Sequence, residues 1–158
     1  MNRFVLLLSP LLLVACNSTS PPIEQSFAHL QVVEAELTSK KWHPLTRFPP
    51  RYPIEEARAG KEGCATVEYV ITADYEIKNV KVTGSTSKYF AKQAKLNVTK
   101  WKWADLPKGI IEEPVKTHTR FEYCLEQGDG HCSATGFAAK SQCRGEDVVA
   151  SIGYKIKR

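Results

Sequence analysis

The chain has 158 residues, of which 42% are hydrophobic and 25% charged, and a formal net charge of +5. That length and apolar content suffice for one packed domain with appendages. The charge is mild, and the lysines are scattered through 78–108 rather than massed, which marks a solvated face and argues against a nucleic-acid partner.

Asn2-Arg3 precede an apolar run from Phe4 to Ala15, interrupted only by Ser9-Pro10. The run is shorter than the ~20 residues a membrane helix needs, and it has the length of a secretory signal. It ends in Leu13-Val14-Ala15-Cys16, which resembles the bacterial lipobox. That resemblance implies a signal peptide over 1–15 and lipidation of Cys16 as the mature N-terminus. Residues 16–47 are then the lipidated N-terminus and tether. The chain is expected in the bacterial envelope, facing the periplasm and held to the membrane through the Cys16 lipid. Asn17 rather than Asp follows the cysteine, which favours the outer over the inner membrane by the sorting rule of enteric bacteria.

Residues 17–24 are polar and contain Pro21-Pro22, as a flexible tether would. Phe27, Leu30, Val33 and Leu37 recur at roughly helical spacing and suit a short amphipathic helix or a strand laid on the domain. Pro44, Pro49, Pro50 and Pro53 exclude regular helix and predict an extended lead-in. A short helix is expected at about 53–60, with Pro53 in its first turn and Gly60 at its stop.

Ala65, Val67, Tyr69 and Ile71 then alternate with Cys64, Thr66, Glu68 and Thr72, the pattern of a half-buried antiparallel strand. Ala73-Asp74-Tyr75 is a turn, and Ile77, Val80 and Val82 continue as a second strand. Gly84 to Ser87 breaks that strand and offers a helix cap. Phe90, Ala94, Val98 and Trp101 make one face of a helix, with Lys88, Lys92, Lys95 and Lys100 outside it. After a loop at Leu106–Gly109, Val115–Tyr123 reads as a third strand. Its face with Phe121 and Tyr123 points to the core. The face with His118, Arg120, Glu122 and Cys124 points away, so His118 is expected toward solvent. The tail carries a polar turn at 128–131, a loop from Cys132 to Cys143, and a candidate strand over Val148–Ile156.

Beyond Cys16 the chain holds Cys64, Cys124, Cys132 and Cys143. In an exported chain an even number reads as two disulfides, with three connectivities open. No metal site is expected: there is no Cys-x-x-Cys, and His29, His43, His118 and His131 are widely spaced. His131-Cys132 is the one adjacent pair of ligand types. No cofactor and no enzymatic activity are expected either. There is no Gly-rich phosphate loop and no serine, histidine and aspartate in a recognisable catalytic context. Glu55-Glu56 and Glu112-Glu113 are adjacent pairs whose side chains diverge, as solvated charges do.

Taken in order, Tyr52-Pro53, Ala57, Gly60, Gly63, the alternating residues 65–71, Val80, Val82, Ser85, Phe90, Ala94, Trp101 and Trp103 resemble the TonB C-terminal domain. The resemblance covers about 48–125, and leaves 126–158 as a cysteine-stapled extension. It implies an α+β fold: a small antiparallel sheet with two helices on one face. The order second-first-third keeps all three strands antiparallel after the helical crossover, and leaves room for an added C-terminal strand. The start of the first strand then meets the end of the third, both cysteines lying on the non-core face. Cys64–Cys124 is therefore the expected disulfide, with Cys132–Cys143 as the other.

The resemblance also implies a non-catalytic protein-binding module associated with TonB-dependent transport. Such a module takes an extended segment of an outer-membrane transporter by strand addition at a sheet edge. The expected partner contacts are Tyr52, Pro53, Val115, Thr117, Thr119 and Phe121. The chain departs from the family at Asp74-Tyr75, where a glycine is usual, and at Asn97, where an alanine is usual. A lipobox also stands where a TonB protein has its inner-membrane helix. The alternative is a lipid-anchored structural adaptor of an envelope complex with no energy-transducing role.

Overall fold

The computed structural model describes residues 27–128, 130–133 and 141–156; the signal segment and Cys16 lie outside them. Two helices, α1 (Ile54–Ala59) and α2 (Lys88–Lys100), accompany five strands: β1 (Val32–Val33), β2 (Gly63–Ile71), β3 (Ile77–Ser85), β4 (Val115–Glu126) and β5 (Val148–Tyr154). The class is α+β, as expected. β3, β2 and β4 lie side by side and antiparallel, the expected second-first-third order. The sheet is nevertheless mixed, because β1 and β5 both join the far edge of β4 and run parallel to it.

Local chemistry sets the element ends. Gly60 closes α1 at φ 64°, and the freed N–H groups of Gly60 and Lys61 turn back to Ala57 and Glu56 carbonyls. The Ser87 side chain accepts from Tyr89 N and caps α2. Ser87 also donates to Glu56, tying the two helices together. In the β2–β3 turn, Tyr75 takes φ 61°, a conformation that favours glycine. Its ring compensates by anchoring the distal loop: Tyr75 OH donates to Pro107 O at 2.6 Å and accepts from Ile110 N at 2.9 Å.

Phe90, Ala94 and Val98 of α2 are buried against the sheet with Ala65, Val67, Tyr69, Ile71, Phe121 and Tyr123, the face that alternation marked. Trp101 and Trp103 complete it. Trp103 Nε1 donates to Val98 O at 2.7 Å, and Trp101 Nε1 to Asn97 Oδ1 at 2.9 Å and Phe48 O at 3.0 Å. Asn97, where the resemblance led to an alanine, is thus the buried acceptor that a buried indole needs.

Three expectations change. First, β2 and β4 are not half-buried strands. Cys64 and Thr66 of β2 and Glu122 and Cys124 of β4, all on the supposed outer face, are buried too, and so is Val70, which shares that face by alternation. The tail crosses that face: Thr66 Oγ1 donates to Arg144 O at 2.6 Å, and Gly145 lies against His118 and Arg120. His118 is drawn in as well, 2.7 Å from Glu34 Oε2, rather than left in solvent. Second, the disulfides are Cys64–Cys143 and Cys124–Cys132, not Cys64–Cys124 with Cys132–Cys143. The register explains this: Cys64 lies opposite Glu122, so Cys124 is two residues out of step and each cysteine takes a partner from the tail instead. Third, residues 27–47 are folded onto the domain rather than strung out as tether. Of the helix and the strand that the spacing allowed, the strand forms, as β1, followed by two 3-10 turns, and Leu37, Trp42 and Leu45 enter the core.

Candidate functional site

Strand addition needs a row of unpaired backbone groups. The expected contact strand, β4, does not offer one. β1 pairs with Lys116–Thr117, and β5 pairs with Arg120–Glu126. Between them, Glu34 meets His118, and Thr119 Oγ1 donates to Asp147 Oδ2 at 2.6 Å. Thr117, Thr119 and Phe121 are fully buried and Val115 is half-buried.

Tyr52 and Pro53 are likewise structural. Pro53 is buried. The Tyr52 ring stands edge-on to Phe90 and Tyr123, each at 5.8 Å, and its hydroxyl donates to Lys61 O at 2.5 Å. Burial, then the nearby Glu62 and Glu56 carboxylates, push the Tyr52 phenol above its ordinary range. Tyr69 and Tyr123 are raised chiefly by burial.

The open edges lie elsewhere. β3 has no strand on its far side among the described residues. Its run is irregular: Asn79 sits at φ 50°, the pairing with β2 shifts register twice, and Lys78 and Lys81 line it. Charges and irregularities of this kind are how proteins keep edges unpaired. β5 is different. Among the described residues it pairs only with β4. Its outer side chains form an apolar stripe in which Ile152 is 51% and Tyr154 71% exposed, continued by Val148 and Ile156. Its other face is tied down: Ser151 Oγ donates to Pro50 O at 2.7 Å, and Gly153 fits under the Tyr52 ring.

A concave feature sits where the lead-in to β2 meets the end of β4. A cleft of about 270 Å3 is lined by Glu62, Cys64, Glu122, Cys124 and His131 among others. Burial raises the Glu122 carboxyl above the usual carboxylate range, against the opposing pull of the Ser141 hydroxyl and Arg120. Arg120 Nε and Glu122 Oε1 face each other at 3.0 Å as an ion pair, out of line for a hydrogen bond. Glu62, Cys124, His131 and Cys132 bring their ligand atoms within 4.8 Å of one another. Sequence reading had singled out His131-Cys132 but had no means of placing Glu62 and Cys124 beside them.

Residues 49–125 match the family model of the Gram-negative bacterial TonB protein C-terminal. No curated protein and no solved structure matches the chain. No helix of the described residues is long and apolar enough to cross a membrane.

Proposed function

We propose that the chain, whose residues 49–125 match the TonB C-terminal family model, is a TonB-like envelope protein: a non-catalytic protein-binding module tethered by a lipid on Cys16. It takes an extended segment of an outer-membrane transporter by strand addition, and β5 supplies the edge. One observation carries this reading: the expected contact strand, β4, is covered, and the strand covering most of it has no strand on its far edge among the described residues and carries exposed apolar side chains beside it. Ile152 and Tyr154 are the side chains that such a segment would meet. Backbone bonds give affinity in this mode, and alternate side chains give selectivity.

The test is photo-crosslinking in the native envelope from Tyr154 on β5, Lys81 on β3 and Thr117 on β4. Adducts with a transporter segment from position 154, and none from 81, are expected. Adducts from 81 alone would move the site to β3, and adducts from 117 would require β1 to leave β4. The covered β4 edge also favours one second reading, a structural adaptor with no energy-transducing role. Under that reading the co-purified partners stay the same when the transporters are removed.

A further inference from the structure

The corner holding the Cys124–Cys132 disulfide gathers four side chains of metal-ligating types. Glu62 leads into β2, Cys124 lies near the end of β4, and His131 and Cys132 follow in the next turn. His131 Nε2 is 2.9 Å from Glu62 Oε1. Cys132 Sγ is 3.7 Å from His131 Nε2, and Cys124 Sγ is 3.3 Å from Glu62 Oε1. A tetrahedral zinc ion with bonds of about 2.0 Å to N and O and about 2.3 Å to S holds neighbouring ligand atoms about 3.3–3.8 Å apart. The three separations already fall within about half an ångström of that range. The two sulfurs, bonded to each other, are too close and must part.

The surroundings suit an ion. Leu125 N donates to Glu62 Oε1 at 2.7 Å and fixes the carboxylate, as an outer hydrogen bond orients a metal ligand. Glu62 and His131 are both partly exposed to the cleft, which leaves a path in. Two thiolates with an imidazole and a carboxylate select zinc over magnesium or calcium.

We propose that Glu62, Cys124, His131 and Cys132 form a zinc site that the Cys124–Cys132 disulfide keeps closed. Opening it takes two electrons and two protons from a dithiol, which is oxidised to its own disulfide while Cys124 and Cys132 become thiols. Zinc then displaces the two thiol protons to solvent and binds both sulfurs. This disulfide bridges residues only 8 apart, while Cys64–Cys143 and the aromatic core hold the rest of the chain. The site therefore forms within an otherwise folded domain.

The experiment loads the full chain with zinc, oxidised or reduced with dithiothreitol, and counts bound zinc after gel filtration while near-UV circular dichroism reports the fold. One zinc per reduced chain and none per oxidised chain is expected, and Glu62→Gln and His131→Ala should each weaken binding by about tenfold or more. Cobalt in place of zinc should give a tetrahedral spectrum with thiolate charge-transfer bands. Should reduction unfold the chain, Cys124→His opens the pair without reductant, keeps Cys64–Cys143, and should still bind zinc. Equal binding by the oxidised chain, no binding by either folded reduced form, or affinity indifferent to Glu62 and His131 each overturns the proposal.

Discussion

Arg47 and Asp147, one hundred residues apart, meet in a two-pronged ion pair: Arg47 Nη1 donates to both carboxylate oxygens of Asp147, at 2.7 and 2.8 Å. Thr119 Oγ1 donates to the same carboxylate, Tyr69 OH bonds Thr119 at 2.9 Å, and Arg120 N donates to Asp147 O at 2.8 Å. Arg47 also lies over the Trp101 ring at 5.5 Å. The lead-in, the sheet and the tail are thus locked at a single point, immediately before β5.

The two ends of this pair are not equally buried: the Asp147 side chain is 2% exposed and that of Arg47 25%. Arg47→Met strands a carboxylate away from water and should cost about 3–5 kcal/mol of unfolding free energy. Asp147→Asn leaves a guanidinium that water reaches, and should cost about 2 kcal/mol. Urea titration of both variants checks the order; an equal cost would mean that the carboxylate is hydrated in the folded chain.

The two disulfides should differ in how much they stabilise the fold. Cys64–Cys143 spans 79 residues and Cys124–Cys132 spans 8. By loop-closure entropy the first contributes about 4.5 kcal/mol and the second about 2.5 kcal/mol. Cys64→Ala with Cys143→Ala should therefore destabilise more than Cys124→Ala with Cys132→Ala, by a denaturation midpoint measured on each pair. Peptide mapping of the oxidised chain checks the pairing itself. A Cys64–Cys124 linkage would contradict the register that sets Cys64 opposite Glu122.

The central frame was legible because its signals are local. Alternation over 65–71 and 77–82, the four-residue spacing of Phe90, Ala94 and Val98, and Gly60 after a helix-forming run each act within a few residues. The covering of the second face was not legible, because it depends on residues about eighty positions away in sequence. Cys64, Thr66 and Val70 hinted at it, since a solvated strand face rarely carries so little charge. The disulfide pairing failed for a register reason: alternation tells which face a cysteine occupies but not which residue stands opposite. Phe27 to Leu37 left helix and strand open because helical spacing in so short a stretch is also met by a two-residue strand followed by 3-10 turns, and the strand is what forms. The β4 edge was lost as a binding edge for the same reason as the second face was covered: the tail and the lead-in both return to the sheet.

Glu122 gives the stability a readable pH dependence. Its folded-state carboxyl is raised above the ordinary 4.5 by burial. As pH climbs past 4.5 the unfolded chain releases this proton first, so the folded state loses stability with rising pH across a window that begins there. Below 4.5 the contribution is fully present. Glu122→Gln removes it, so the difference in Tm, variant minus wild type, should rise from pH 4.5 upward and then level off. A difference that is flat with pH would show that Arg120 and Ser141 compensate the burial in full.

Gly153 is the residue on which the seating of β5 can be tested most directly. A Cβ there would come 2.6 Å from Tyr52 Cδ2 and 2.7 Å from Cγ. The ring cannot swing away freely, since Lys61 O holds its hydroxyl and Phe90 and Tyr123 flank it. Gly153→Ala should therefore cost about 1–3 kcal/mol through overpacking. The cost should fall on β5 specifically, because its pairing with Arg120–Glu126 is what must shift, while the β2–β3 hairpin is untouched. Hydrogen exchange should show faster exchange on β5 and the facing part of β4 and no change in β3. Combining it with Tyr52→Ala should recover part of the loss, since the two groups collide with each other. If β5 is the binding edge, Gly153→Ala also weakens crosslinking from Tyr154. If β5 instead shields β4, the same substitution strengthens crosslinking from Thr117, and the one variant separates the two arrangements.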